Sequence, residues 1–340
     1  MRTAVVICPG RGTYNKSELG TLARNFTDRD LLADFDARRV ALGQETLTAL
    51  DDAATYSVAR HTRGDNASAL IYAATLADFR ALRDVEIVAV TGNSMGWYSA
   101  LACAGALDAT GGFEVVNTMG TLMQERLIGG QTVYPFVGED WQPDIGRKSQ
   151  LLALADKILA RPHHDLSLSI DLGGLLVLAG NEAGLAAFEA AVPLTQARFP
   201  LRLANHAAFH TRLQAPVAAA GRERLSPDLF RQPSLPLIDG RGAIWWPGAV
   251  DVAALWDYTL GQQVTTPYDF TAAIRIAARE FAPDLFIVTG PGTTLGGAVA
   301  QSLILANWRG MHSKSGFQSQ QLANPLLVSM GLADQRASVT

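Results

Sequence analysis

The chain has 340 residues, 48% of them hydrophobic and 18% charged, with a formal net charge of -4. That balance supplies ample material for a buried core and excludes fibrous and disordered classes. Scattered Lys and Arg in a net-acidic chain argue against nonspecific nucleic-acid binding, and no apolar run reaches the length that spans a bilayer.

The opening M-R-T-A-V-V-I-C-P-G has too short an apolar core, and too early a proline and glycine, for a signal peptide. It predicts a buried parallel strand over 3–8, running into the glycine loop P-G-R-G-T at Pro9. A cytoplasmic location is expected, with no membrane or nucleic-acid partner. Cys8 and Cys103 have no metal-ligand spacing and sit in apolar segments, so buried free thiols are expected. Helical spacing of apolar residues follows over 31–50 and 67–82.

The stretch V-E-I-V-A-V-T-G-N-S-M-G-W-Y-S-A-L over 85–101 changes from apolar strand to helix through a serine flanked by Gly92 and Gly96. This is the pattern of a nucleophile elbow, in which the serine stands on a sharp turn and the next amide opens a helix. Ser94 is then placed to attack a carbonyl, and the amide of Met95 to stabilise the oxyanion. In an open α/β sheet the loops beyond strand C-termini line the ligand crevice, so the Pro9 loop and the elbow are expected to face each other.

A helix over 112–127 is predicted to end at Gly129-Gly130. From 132 to 203 the predicted order is β-α-β-β-α-β, the signature of a ferredoxin-like unit inserted in a larger domain. The chain then delivers N-H-A-A-F-H-T-R-L-Q-A-P-V from Asn205, with His206 and His210 at the seam where ligand clefts form. His163 and His164 lie together in a polar turn without a second ligand pair, so no metal site is expected. Helices over 252–261 and 268–279 and a strand over 284–289 complete the periodic part. Beyond Arg309 periodicity is lost, and 309–340 reads as a tail that wraps the surface or stays loose.

Together these stretches resemble the malonyl-CoA:acyl carrier protein transacylases and the acyltransferase domains of polyketide and fatty acid synthases. P-G-R-G-T at Pro9 resembles the family's P-G-Q-G-S, and G-N-S-M-G-W-Y-S-A-L at Gly92 resembles G-H-S-x-G-E-Y-x-A-L. A-A-F-H-T at Ala207 is similar to A-F-H-S, Q-V-T-T-P at Gln263 to Q-L-x-x-P, and V-T-G-P-G-T-T-L at Val288 to V-G-P-G-x-x-L. The resemblance implies an α/β-hydrolase-like domain over 1–131 and 204–308 with the ferredoxin-like unit over 132–203. It also implies a Ser94–His210 dyad, an oxyanion hole from the amides of Arg11 and Met95, and a backbone carbonyl at Thr266 orienting the histidine. No tightly bound cofactor is implied; the substrates are a coenzyme A thioester and an acyl carrier protein bearing phosphopantetheine.

Three departures from the family pattern bear on specificity. Met119 stands where malonyl-selective members keep a carboxylate-binding arginine, in M-G-T-L-M-Q against R-G-x-x-M-Q. An unpaired buried carboxylate is strongly unfavourable, so Met119 argues for an uncharged acyl group. Arg126 lies about 10 Å further along the helix axis, which leaves Arg11 on the opposing loop as the substitute. Asn93 replaces the histidine before the nucleophile, and Trp97 replaces a glutamate and adds apolar bulk. Phe209, in contrast, is the residue of members that accept small extender units. The leading expectation is a short-chain acyltransferase working through acyl-Ser94; an editing acyl-carrier-protein hydrolase and an inactive carrier-protein-docking scaffold are the other two readings.

Overall fold

The computed structural model describes residues 1–340. Eleven strands form two sheets. In chain order they begin with β1 (Arg2–Cys8), β2 (Val85–Gly92), β3 (Gly130–Pro135), β4 (Leu166–Leu172), β5 (Leu175–Gly180) and β6 (Leu201–Arg202). They continue with β7 (Leu237–Ile238), β8 (Ile244–Trp245), β9 (Tyr268–Asp269), β10 (Leu285–Val288) and β11 (Leu327–Ser329).

The larger sheet has the order β11-β10-β1-β2-β7-β8 and is parallel except for β8. Strands with both faces covered need apolar side chains on both, which is why β1 reads as a continuous run with Ala4 to Cys8 fully buried. Cys8 on β1 and Cys103 on the helix after the elbow are both buried and free, with their sulfurs 4.0 Å apart. The helix Gly64–Ala81, buried nearly throughout, and the helix Ala109–Arg126 pack on one another beneath the elbow.

The smaller sheet has the order β6-β3-β5-β4-β9. Its first four strands come from the segment read as β-α-β-β-α-β, with helices Ile145–Leu159 and Glu182–Ala191 started by the side chains of Asp144 and Asn181. The fold is thus mixed α/β, a large parallel-sheet part with a smaller ferredoxin-like part. β9 is supplied by the chain after the inserted segment and pairs in parallel with β4, so the seam between the two sheets is tied by main-chain bonds.

The chain beyond Arg309, expected to be a tail that wraps the surface or stays loose, carries regular structure instead. Helix Lys314–Ala323 and β11 follow, and β11 extends the main sheet beside β10. A buried three-residue strand leaves no periodicity to read, and its flanking backbone groups are met by side chains. Gln321 Oε1 accepts from the amides of Leu326 and Leu327 at 3.2 and 3.1 Å, and Gln335 Oε1 from Ser329 at 2.8 Å. Arg336 closes the segment with an ion pair to buried Asp78. The predicted helix over 31–50 divides into Arg29–Ala41 and Leu47–Asp51, because Gly43 turns the chain at a φ of +68°. The helix predicted over 112–127 spans Ala109–Arg126, with Leu127 in the left-handed region at its end.

Candidate active site

β2 ends at Gly92 and the next helix begins at Gly96, leaving three residues for the turn. Ser94 at its apex has a φ of +55°. A side chain at Gly96 would run into the carbonyl of Cys8, and one at Gly92 into the backbone of Gly96, so the glycines are what allow the turn to lie against the end of β1. The amide of Asn93 donates to Cys8 O at 2.9 Å and fixes that contact. Ser94 itself keeps partial exposure among buried neighbours.

His210 arrives from the other side of the cleft, also with a positive φ, +57°. Its Nε2 lies 2.7 Å from Ser94 Oγ, and its Nδ1 lies 2.7 Å from the carbonyl oxygen of Gln263. A carbonyl only accepts, so Nδ1 carries the proton and Nε2 presents its lone pair to the serine hydroxyl. The histidine is buried, 3% exposed, and burial drives its pKa down to about 4 against a smaller opposing effect of the Gln263 bond. At neutral pH it is therefore an uncharged base already hydrogen-bonded to a serine.

The orienting carbonyl belongs to Gln263 and not to Thr266, which corrects the expectation. Gln263 opens the last helical turn before Pro267. Four residues on, an ordinary helix would place an amide against this carbonyl, but Pro267 has none, so the acceptor is left for His210. Thr266 instead bonds back to Gln262 through both its amide and its hydroxyl. The side chain of Gln263 also donates to the Ser94 carbonyl at 3.0 Å, so one residue contacts both Ser94 and His210. The proline was the sequence signal for this position.

Ser94 and His210 open on a cavity of about 1060 Å³ between the two sheets, which Arg11, Asn93, Met95, His206 and Phe209 also line. The amides of Arg11 and Met95 make no hydrogen bond within the protein. Asn93 is buried, and its Oδ1 has no partner. His206 stacks edge-on with Phe209 and turns its Nδ1 to its own Ala204 carbonyl at 2.9 Å, so it does not reach the serine. Burial and the charge of Arg11 hold His206 down to about 3.

Met119 and Trp97, expected at the substrate, are both fully buried and neither lines the cavity. The Met119 sulfur faces the helix Ala215–Arg224, where a Cβ built on Gly221 would come within 2.7 Å of it. Trp97 donates its indole N–H to Thr259 Oγ1 at 3.0 Å and packs edge-on against Tyr258. The resemblance to the family motifs placed both at the substrate; which neighbour each buried side chain meets is a tertiary matter.

No family model matches the sequence. Among characterised proteins, the malonyl CoA-acyl carrier protein transacylase of Salmonella typhimurium is 25% identical over 215 residues, 61% of this chain and 63% of that protein. The match to the Salmonella protein thus spans less than two thirds of its length. The transacylase of Haemophilus influenzae is 24% identical over 307 residues, 87% of this chain and 91% of that protein. Among solved structures, an acyl-carrier-protein S-malonyltransferase from Burkholderia pseudomallei superposes with a TM-score of 0.76 at 21% identity, over 99% of this chain and 98% of that one. A malonyl-transacylase solved with a type II polyketide synthase acyl-carrier protein gives 0.73 at 20% identity, over 99% and 98%. Both structures share the fold.

Proposed function

We propose that this chain, a relative of the malonyl-CoA:acyl carrier protein transacylases in sequence and in fold, transfers a short acyl group from a coenzyme A thioester to the phosphopantetheine thiol of an acyl carrier protein. The observation that carries this reading is the 2.7 Å contact of Ser94 Oγ with a neutral, buried His210 whose other nitrogen is fixed on Gln263. A serine on a tight turn gains nucleophilicity only when a base takes its proton as it attacks.

In the first half-reaction Ser94 Oγ bonds to the thioester carbonyl carbon and its proton passes to His210 Nε2. The carbonyl oxygen takes up negative charge beside the free amides of Arg11 and Met95. As the carbon–sulfur bond breaks, the imidazolium returns its proton to the departing thiol, leaving an acyl ester on Ser94. In the second half, the carrier thiol gives its proton to His210 and its sulfur bonds to the ester carbon; the carbon–Oγ bond breaks, and His210 returns the proton to Ser94 Oγ, leaving the acyl group on the carrier thiol. These steps use no tightly bound cofactor, because every proton moves among Ser94, one histidine and the substrate thiols.

The test is intact-mass measurement after incubation with a panel of acyl-CoAs, followed by addition of carrier protein. Acyl adducts that discharge onto the carrier thiol support transfer. Adducts that discharge only to water assign the protein to the editing hydrolases, and absence of any adduct assigns it to the inactive scaffolds.

A further inference from the structure

The guanidinium of Arg11 is held in place without being fully used. Its Nη2 donates to the backbone carbonyls of Thr62 at 2.6 Å and Asn205 at 2.8 Å, and Asn205 is braced in turn by its own bond to Thr62 Oγ1 at 2.7 Å. The group stands over the Phe209 ring, 5.6 Å from Cζ to centroid. Nε is buried without an acceptor, and Nη1 has no protein partner. Asp65, the acid whose field reaches it, is engaged with Arg63 at 3.1 Å.

Arg39, a fully buried arginine, shows what a structural one looks like here. It uses all three nitrogens, bonding the carbonyls of Glu45 and Asp65 and the side chains of Asn66 and Asn117. Arg11 uses one of three. Burial lowers its pKa to about 10, so it remains charged at neutral pH. A positioned, partly buried cation with idle donors is unfavourable by itself and is relieved by an anion. It also lines the cavity that holds Ser94.

We propose that Arg11 is the specificity-determining residue of the acyl site and receives the free carboxylate of a dicarboxylic acyl group, the half-thioester of a malonic-type acid. This rests on the acyl-Ser94 reading above, and it reverses the expectation of an uncharged acyl group drawn from Met119, a residue that does not line the cavity. One loop then serves both ends of the substrate: the Arg11 amide faces the thioester carbonyl, and its side chain takes the far carboxylate.

The experiment compares malonyl-CoA and acetyl-CoA on wild type, Arg11→Lys and Arg11→Gln, following the acyl-Ser94 mass with time. Wild type favours malonyl; Arg11→Gln lowers the malonyl-to-acetyl ratio by about 10- to 150-fold, the loss of a charge-assisted bond, and Arg11→Lys by less. An equal fall for both substrates, or a wild type that favours acetyl, overturns the proposal. A second measurement is independent of the chemistry: calorimetric binding of both coenzyme A esters, and of the phosphate-free malonyl N-acetylcysteamine thioester, to Ser94→Ala with and without Arg11→Gln. Loss of the malonyl preference in that background supports the assignment even if Ser94 proves not to load. Equal weakening of both coenzyme A esters with the phosphate-free ester unaffected shows that the guanidinium reads coenzyme A phosphate, and the carboxylate assignment falls.

Discussion

The carbonyl oxygen of Gln263 lies 2.7 Å from His210 Nδ1, and the side chain of the same glutamine donates to the Ser94 carbonyl at 3.0 Å. One residue therefore fixes the tautomer of His210 and the position of the Ser94 backbone. No carboxylate is needed to hold the imidazole, because a proline has released a main-chain acceptor at the right place.

Ser94→Ala is expected to abolish acyl loading while the protein stays folded. The positive φ at this position is a property of the elbow's backbone, which glycines at 92 and 96 make room for, and alanine bears the same strain as serine. Intact mass and a thermal melt together check this; an undiminished acyl adduct in the variant would remove the serine from the mechanism.

His210→Ala should slow loading and discharge by about 10²- to 10⁴-fold, the range for a lost general base. His206→Ala should cost much less, since its Nδ1 faces Ala204 and its ring faces Phe209. Single-turnover rates decide it, and a larger loss at His206 would show that the wrong histidine has been chosen.

Pro267→Ala supplies an amide that competes for the Gln263 carbonyl. The expected loss is that of one hydrogen bond, about 1 kcal/mol and so about fivefold in rate. Thr266→Ala, which alters a residue bonded only to Gln262, should leave the rate within twofold, about 0.4 kcal/mol. Equal effects of the two changes on single-turnover loading would deny the carbonyl of Gln263 its orienting part.

The pH dependence follows from His210. Its folded pKa of about 4 lies below its ordinary value of 6.5, so the native state resists protonation. The stability contributed by keeping it neutral is complete above pH 6.5 and is lost as pH falls toward 4, at up to about 1.4 kcal/mol per pH unit. Loading should stay level from pH 8 to 6 and fail on approach to pH 4. Urea midpoints at pH 7 and pH 5 should differ more in wild type than in His210→Ala; identical differences would mean that this histidine is not buried in its neutral form.

Much of the site is legible in the amino-acid sequence. A glycine-flanked serine between an apolar run and a helical run has few conformations open to it, and the order of strand and helix signals over 132–203 matches a known unit, so Ser94, the second sheet and the loop carrying His210 can be read from local pattern. Gln263 is nearly legible: the proline four residues on marks an orphaned carbonyl, and only the resemblance to a family motif draws attention to Thr266 instead. β11 is not, because three buried residues with side-chain caps have no period to detect.

What the sequence determined by itself was the set of local geometries: the elbow at Ser94, the helix caps at Asp144 and Asn181, the proline that frees a carbonyl. The tertiary structure alone decided which groups meet. Met119 and Trp97 are apolar helix residues, but helix packing turned one toward Gly221 and the other toward Thr259 rather than toward substrate. Arg11 reads as a loop residue in sequence, and only the approach of the chain at Thr62, Asn205 and Phe209 converts it into a fixed, half-paired cation. Local conformation depends on a few neighbouring residues, whereas burial and charge pairing depend on partners 51 and 194 positions away, which no local pattern encodes.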